Sequence, residues 1–148
     1  MSRMIFVNLP VSDLGKSRRF LEALGAVNEP RFTDDTAACM TLSESIHVML
    51  LTHDKFSQFT PRPIANANAG SEVLLCLSAE SRESVDTAVE RAVLSGGTAD
   101  PSPKQDYGVM YGRSVADPDG HIWEIMWMDA TAAERGAEAV HEAVATAV

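Results

Sequence analysis

Apolar and polar positions divide the chain into two passages of the same plan. Residues 4–11 (Met-Ile-Phe-Val-Asn-Leu-Pro-Val) read as a strand, and Pro10 puts its end at a sheet edge or exit. Ser12 or Asp13 can cap a helix running to about Leu24, with Phe20, Leu21 and Leu24 on its apolar stripe and Gly25 just past its end. Residues 37–42 and 46–52 read as two strands joined across Ser43-Glu44-Ser45. Residues 53–70 carry prolines and small polar residues without a period and read as a linker. The pattern then restarts. Residues 72–78 read as a strand, 81–95 as a helix with the stripe Val85, Ala88, Val89, Ala92 and Val93, and 108–116 as a further strand. Each passage runs strand-helix-strand-strand, with room for one more short strand. Phe6-Val7 lines up with Glu72-Val73, and Leu50 with Ile125. Identity between the halves is negligible, so the repeat rests on the order of elements.

The chain is organised around residues 115–128. Asp117-Pro118-Asp119-Gly120 is turn chemistry: proline pre-sets one angle, aspartates bond the local backbone and glycine accepts a positive φ. The strand that follows puts Ile122, Glu124, Met126 and Met128 on one face and His121, Trp123, Ile125 and Trp127 on the other. Both faces are apolar, so Glu124 stands among hydrophobic neighbours. A carboxylate there needs a cation, a metal ion or hydrogen-bond donors, or it takes up a proton. Glu72 shares its face with Leu74 and Cys76 in the same way. In a purely structural reading, Arg113 or Arg62 would be the cation for these two acids.

Composition narrows the classes. A chain of 148 residues is long enough for one domain with a full core. Its net charge of −9 argues against nucleic acid and anionic membranes as partners. Cys39 and Cys76 lie far apart and read as reduced thiols of a cytoplasmic protein. The N-terminus lacks the basic-then-apolar pattern of a signal peptide, and no run approaches the ~18 apolar residues of a membrane span. Residues 130–148 are helix-prone, and Val140, Val144 and Val148 recur every four residues as a stripe that can dock on the body or on a second subunit.

A doubled strand-helix-strands unit ending in Asp117-Pro118-Asp119-Gly120-x-x-x-Glu124 resembles the glyoxalase / bleomycin-resistance / extradiol dioxygenase superfamily, also called vicinal oxygen chelate proteins. The opening Phe6-Val-Asn-Leu-Pro-Val-Ser-Asp-Leu14, with Phe20 and Gly25 after it, is similar to that superfamily's first strand and helix. In more detail the chain resembles the subgroup of predicted lactoylglutathione lyases. The resemblance implies an α+β fold of two βαβββ modules, residues 1–60 and 68–129, with a linker at 61–67 and a helical tail at 130–148. Eight strands would form a half-open barrel around one cavity.

The resemblance also implies metal-ligand positions, which fall on Phe6, Met49, Glu72 and Glu124. Only the two glutamates suit a divalent Zn, Ni or Mn ion, so half the set is present. His47, on the strand face of Met49, is a candidate neighbour, and Asn8 can orient a ligand. Cys76, Tyr107, Tyr111 and Arg113 complete the expected substrate pocket. Two functions follow. In one, Glu72 and Glu124 serve a lyase or isomerase as ligands or as an acid/base pair that shuttles a proton between adjacent carbons. In the other, a metal-free protein sequesters a small molecule, as the bleomycin-resistance branch does. A small-molecule-binding homodimer is expected in both, with Trp123 or Trp127 and the tail near the contact.

Overall fold

The computed structural model describes residues 2–146. Strand β1 (Ile5–Val11) leads into helix α1 (Leu14–Ala23), whose cap is Asp13: its carboxylate accepts the Lys16 N–H at 3.0 Å. Strands β2 (Val27–Glu29), β3 (Ala37–Thr41) and β4 (Ile46–Thr52) follow. The expected linker begins as a short helix, α2 (His53–Ser57), capped by the Thr52 hydroxyl. The plan then repeats with β5 (Leu75–Ser78), α3 (Arg82–Leu94), β6 (Thr98–Ala99), β7 (Gln105–Asp106), β8 (Met110–Ala116) and β9 (Ile122–Met128). The tail forms α4 (Ala130–Arg135) and α5 (Ala137–Thr146), broken at Gly136 with φ of 75°.

The first sheet has the order β1-β4-β3-β2, with β1 parallel to β4. The second has the order β5-β9-β8-β6, with β5 parallel to β9 and β7 added beside β8. The expected α+β fold with a doubled βαβββ plan is thus present, and the two sheets do not close on one another. Among the described residues no helix is long and apolar enough to cross a membrane.

Alternation decides what each sheet buries. Val7, Leu9, Val11, Val48 and Leu50 turn toward Phe20 and Leu21 of α1, while Leu75, Leu77, Trp123, Ile125 and Val115 turn toward Val85 and Val89 of α3. These side chains form one cluster, so the two modules share a single core. Each fully buried Leu, Val or Phe contributes roughly 1.5–3 kcal/mol of transfer free energy. The seam is tight at Gly97, where a Cβ would stand 2.7 Å from Phe20 Cε2 and 2.9 Å from Val115 Cγ2. Trp123 is only 2% exposed and lies inside this core, so it cannot serve a subunit contact. Trp127 is half-buried, with the Arg82 guanidinium 6.0 Å from its ring. In the tail, Ala132 and Ala139 are buried, while Val144 is exposed. Val140 is half-buried, and Val148 lies outside the described residues.

The Asp-Pro-Asp-Gly turn joins the modules. Asp117 is buried and accepts the N–H groups of Asp119 and His121, both at 2.9 Å. Burial pushes its carboxyl above the usual range, against the opposing pull of His121 and the two N–H donors. Asp119 reaches back to the first module, accepting the Ser12 N–H at 3.0 Å and the Ser17 hydroxyl at 3.5 Å. Asn68 of the linker donates to the Asp119 carbonyl at 3.3 Å. His121 closes the set, with Nε2 donating to the Pro10 carbonyl at 2.8 Å.

Candidate functional site

Helices cover one face of each sheet, and most of the residues singled out above lie on the other. On the first sheet that face carries Phe6, Asn8, His47 and Met49. Phe6 is 49% exposed and stacks on His47 with ring centroids 4.7 Å apart. The imidazole is held in place: Nε2 donates to the Glu44 carbonyl at 3.3 Å, which leaves Nδ1 to accept the Thr41 hydroxyl at 3.0 Å. On the second sheet the open face carries Cys76 and Glu124, which stand opposite each other across the β5–β9 pair.

Register corrects the expected equivalence of the modules. Asn8, not Phe6, faces Met49 across β1 and β4, and Cys76, not Glu72, faces Glu124. Glu72 falls three residues before β5 begins, outside the strand and exposed. Glu124 borders a recess of about 120 Å³ with Cys76, Ser102 and Gln105, while Glu72 lines a different cavity. The two carboxylates therefore do not form an acid/base pair within the chain. Burial, with the Glu124 charge added, pushes the Cys76 thiol up, which disfavours the nucleophilic thiolate.

Three further pocket residues are corrected. Tyr111 and Arg113 alternate toward the helix side. Arg113 bonds Asp100 through two nitrogens, at 2.8 and 3.1 Å, and Asp86 of α3 at 3.0 Å. The Tyr111 hydroxyl donates to the same Asp86 at 2.7 Å. Arg113 borders the Glu124 recess, but its guanidinium is committed to these aspartates rather than to either glutamate. Tyr107 lines a cleft against α4 and α5 instead.

The expected metal positions fail on donor chemistry. Phe6 has no donor atom, Met49 offers only a thioether, and the two glutamates line separate cavities. Among the described residues no three His, Cys, Asp or Glu side chains are grouped to hold an ion. This donor set does not fit Zn, Ni or Mn.

The larger of the two cavities that the glutamates line lies at the junction of the modules, between β1, the start of β9 and residues 60–73, and has a volume of about 470 Å³. Phe56, Ile64, Leu75 and Ile122 give it apolar walls, and Asn8, Arg62, Glu72 and His121 supply polar groups. Asn8 and Glu72 are thus brought together, although not on paired strands. Arg62, Ile64 and His121 were not expected here. His121 has a sequence signal in its place directly after the turn, and Arg62 one as a candidate cation for the two acids, whereas Ile64 has none.

Two sheets of matching strand order, each backed by one helix and carrying a bare face, define the glyoxalase/bleomycin resistance/dioxygenase fold, and the chain has that fold. Particular solved structures agree over most of their length. A hypothetical protein from S. aureus is 24% identical, with 86% of this chain and 94% of that chain covered at a TM-score of 0.71. A glyoxalase/bleomycin resistance protein/dioxygenase family enzyme from Burkholderia phytofirmans is 18% identical, with 86% and 99% covered and a TM-score of 0.69. The fosfomycin resistance protein FosX from Mesorhizobium loti is 19% identical, with 91% and 95% covered and a TM-score of 0.60. No protein-family model and no curated protein matches the sequence.

Proposed function

We propose that the protein binds a small organic molecule in the junction cavity and does so without a resident metal ion. The cavity carries this reading: about 470 Å³ of space with apolar walls and a few polar groups is the ordinary make-up of a small-molecule site. Neighbours with this fold include a family enzyme, a glyoxalase/bleomycin resistance protein and a fosfomycin resistance protein. Sequestration suits this chain better than lactoylglutathione-lyase-like chemistry, because the glutamates that would share the proton transfer are apart and the metal donors are dispersed.

The test is a titration with the neutral fluorophore Nile red. Wild type is expected to bind it in EDTA as well as without EDTA. Ile64→Trp, which fills the cavity from the linker, is expected to weaken binding by about tenfold or more with an unchanged melting temperature. Glu124→Gln is expected to leave binding as it is, since its recess is separate. Binding that disappears in EDTA, or that Ile64→Trp leaves intact, would overturn the reading.

We also propose a homodimer that covers the open face of the first sheet at Phe6 and the segment just before β5 at Val73 and Leu74, residues each about half exposed. Sedimentation at micromolar concentration is expected to give twice the 16.0 kDa chain mass. A species of 16.0 kDa would rule the dimer out.

A further inference from the structure

We infer that the junction cavity is built for a small zwitterion with an apolar body, its anionic group set against Arg62 and its cationic group against Glu72. The inference rests on the cavity being the ligand site. Arg62 and Glu72 both line it and are both exposed, so the charges sit where the cavity meets solvent while Phe56, Ile64 and Leu75 form its apolar lining. Neither side chain makes an ion pair with any described residue, including the other. The Thr60 hydroxyl accepts the Arg62 N–H at 3.1 Å, and Glu72 lies three residues before β5, whose pairing with β9 starts at Leu75.

Two opposite charges on one cavity select by exclusion as well as by attraction. A ligand with only a carboxylate meets the Glu72 charge, and one with only an ammonium meets the Arg62 charge. A wholly apolar ligand fills the walls and leaves both charges unused. A ligand that carries both groups satisfies both side chains. The carboxylate takes the guanidinium in a two-pronged contact, the ammonium takes Glu72, and Asn8 adds one amide, donor and acceptor, to the lining.

Calorimetric titration tests this with L-phenylalanine, its amide, which lacks the carboxylate, and its N-acetyl derivative, which lacks the ammonium. The free amino acid is expected to bind wild type, and each blocked derivative to bind about tenfold or more weakly. Arg62→Met is expected to weaken the free amino acid by a similar factor and to let the amide bind more tightly than it binds wild type, because the charge that repels its ammonium is gone. Glu72→Gln is expected to weaken the free amino acid and to let the N-acetyl derivative bind more tightly than it binds wild type, because the charge that repels its carboxylate is gone. Equal binding of the N-acetyl derivative and the free amino acid would overturn the zwitterion in favour of a simple anion. If none of the three binds, while Nile red binds and Ile64→Trp blocks it, the ligand class is wrong and the cavity reading stands. If Nile red also fails, both are wrong.

Discussion

Replacing Gly120 with alanine is expected to destabilise the protein by about 2–4 kcal/mol. Two effects add. Gly120 has φ of 91°, where an L-residue is strained by its own Cβ. A Cβ there would also stand 2.3 Å from Asn68 Oδ1, 2.7 Å from its Cγ and 3.0 Å from its backbone N, so the linker must move. Moving it breaks the Asn68 bond to the Asp119 carbonyl and disturbs the residue whose carboxylate holds the first module at Ser12. At roughly 2–4 °C per kcal/mol for a chain of this size, the melting temperature falls by roughly 5–15 °C. Adding Asn68→Ala removes the clashing side chain but not the backbone contact or the positive φ. The double variant is therefore expected to recover part of the loss. Unchanged melting in Gly120→Ala would show that the turn does not join the modules as described.

The second large effect belongs to Arg113. Its side chain is 10% exposed and holds two aspartates, so Arg113→Met leaves Asp86 and Asp100 facing each other without their cation. Truncating one partner of a buried pair costs about 3–5 kcal/mol, and the partial exposure of both aspartates lowers the expected loss to about 2–3 kcal/mol. The pH dependence has a definite sign. The Tyr111 hydroxyl and then the Arg113 guanidinium hold the Asp86 carboxyl below its usual range, and the guanidinium does the same for Asp100. A depressed folded-state pKa contributes stability above the unfolded value near 4 and loses it as pH falls through the folded one. The gap between wild type and Arg113→Met is therefore expected to be full at neutral pH and to close below about pH 4. Urea titrations across that range measure it. A gap that stays constant down to pH 3 would mean that packing of the side chain, not its charge, carries the effect.

The fold was legible where turn chemistry and strong periodicity coincide. Asp13 and Gly25 bracket the first helix, Asp117 to Gly120 start the last strand, and the parity of Glu124 follows from its apolar neighbours. Elements of two or three residues, such as β2, β6 and β7, have no period to detect and exist only through their partner strands. Glu72 was misplaced because Glu-Val-Leu-Leu reads as one apolar run, whereas pairing begins only where Leu75 meets Trp123. Tyr111 and Arg113 count among the expected pocket residues because both parities of β8 carry apolar residues, and only the packing of α3 selects between them. Asn8 and Glu72 were legible as site residues, but the junction cavity that they share was not. Arg62 and Ile64 lie in an aperiodic stretch, and nothing short of the folded linker brings them to Asn8.

Backbone amide chemical shifts test the placement of the site most directly. On adding Nile red or L-phenylalanine to labelled protein in EDTA, the largest perturbations are expected at residues 7–9, 60–75 and 120–122, the border of the junction cavity. Perturbations centred on Cys76, Gly112, Glu124 and Met126 instead, or appearing only after a divalent ion is added, would return the site to the open sheet face and contradict a metal-free ligand cavity beneath the linker.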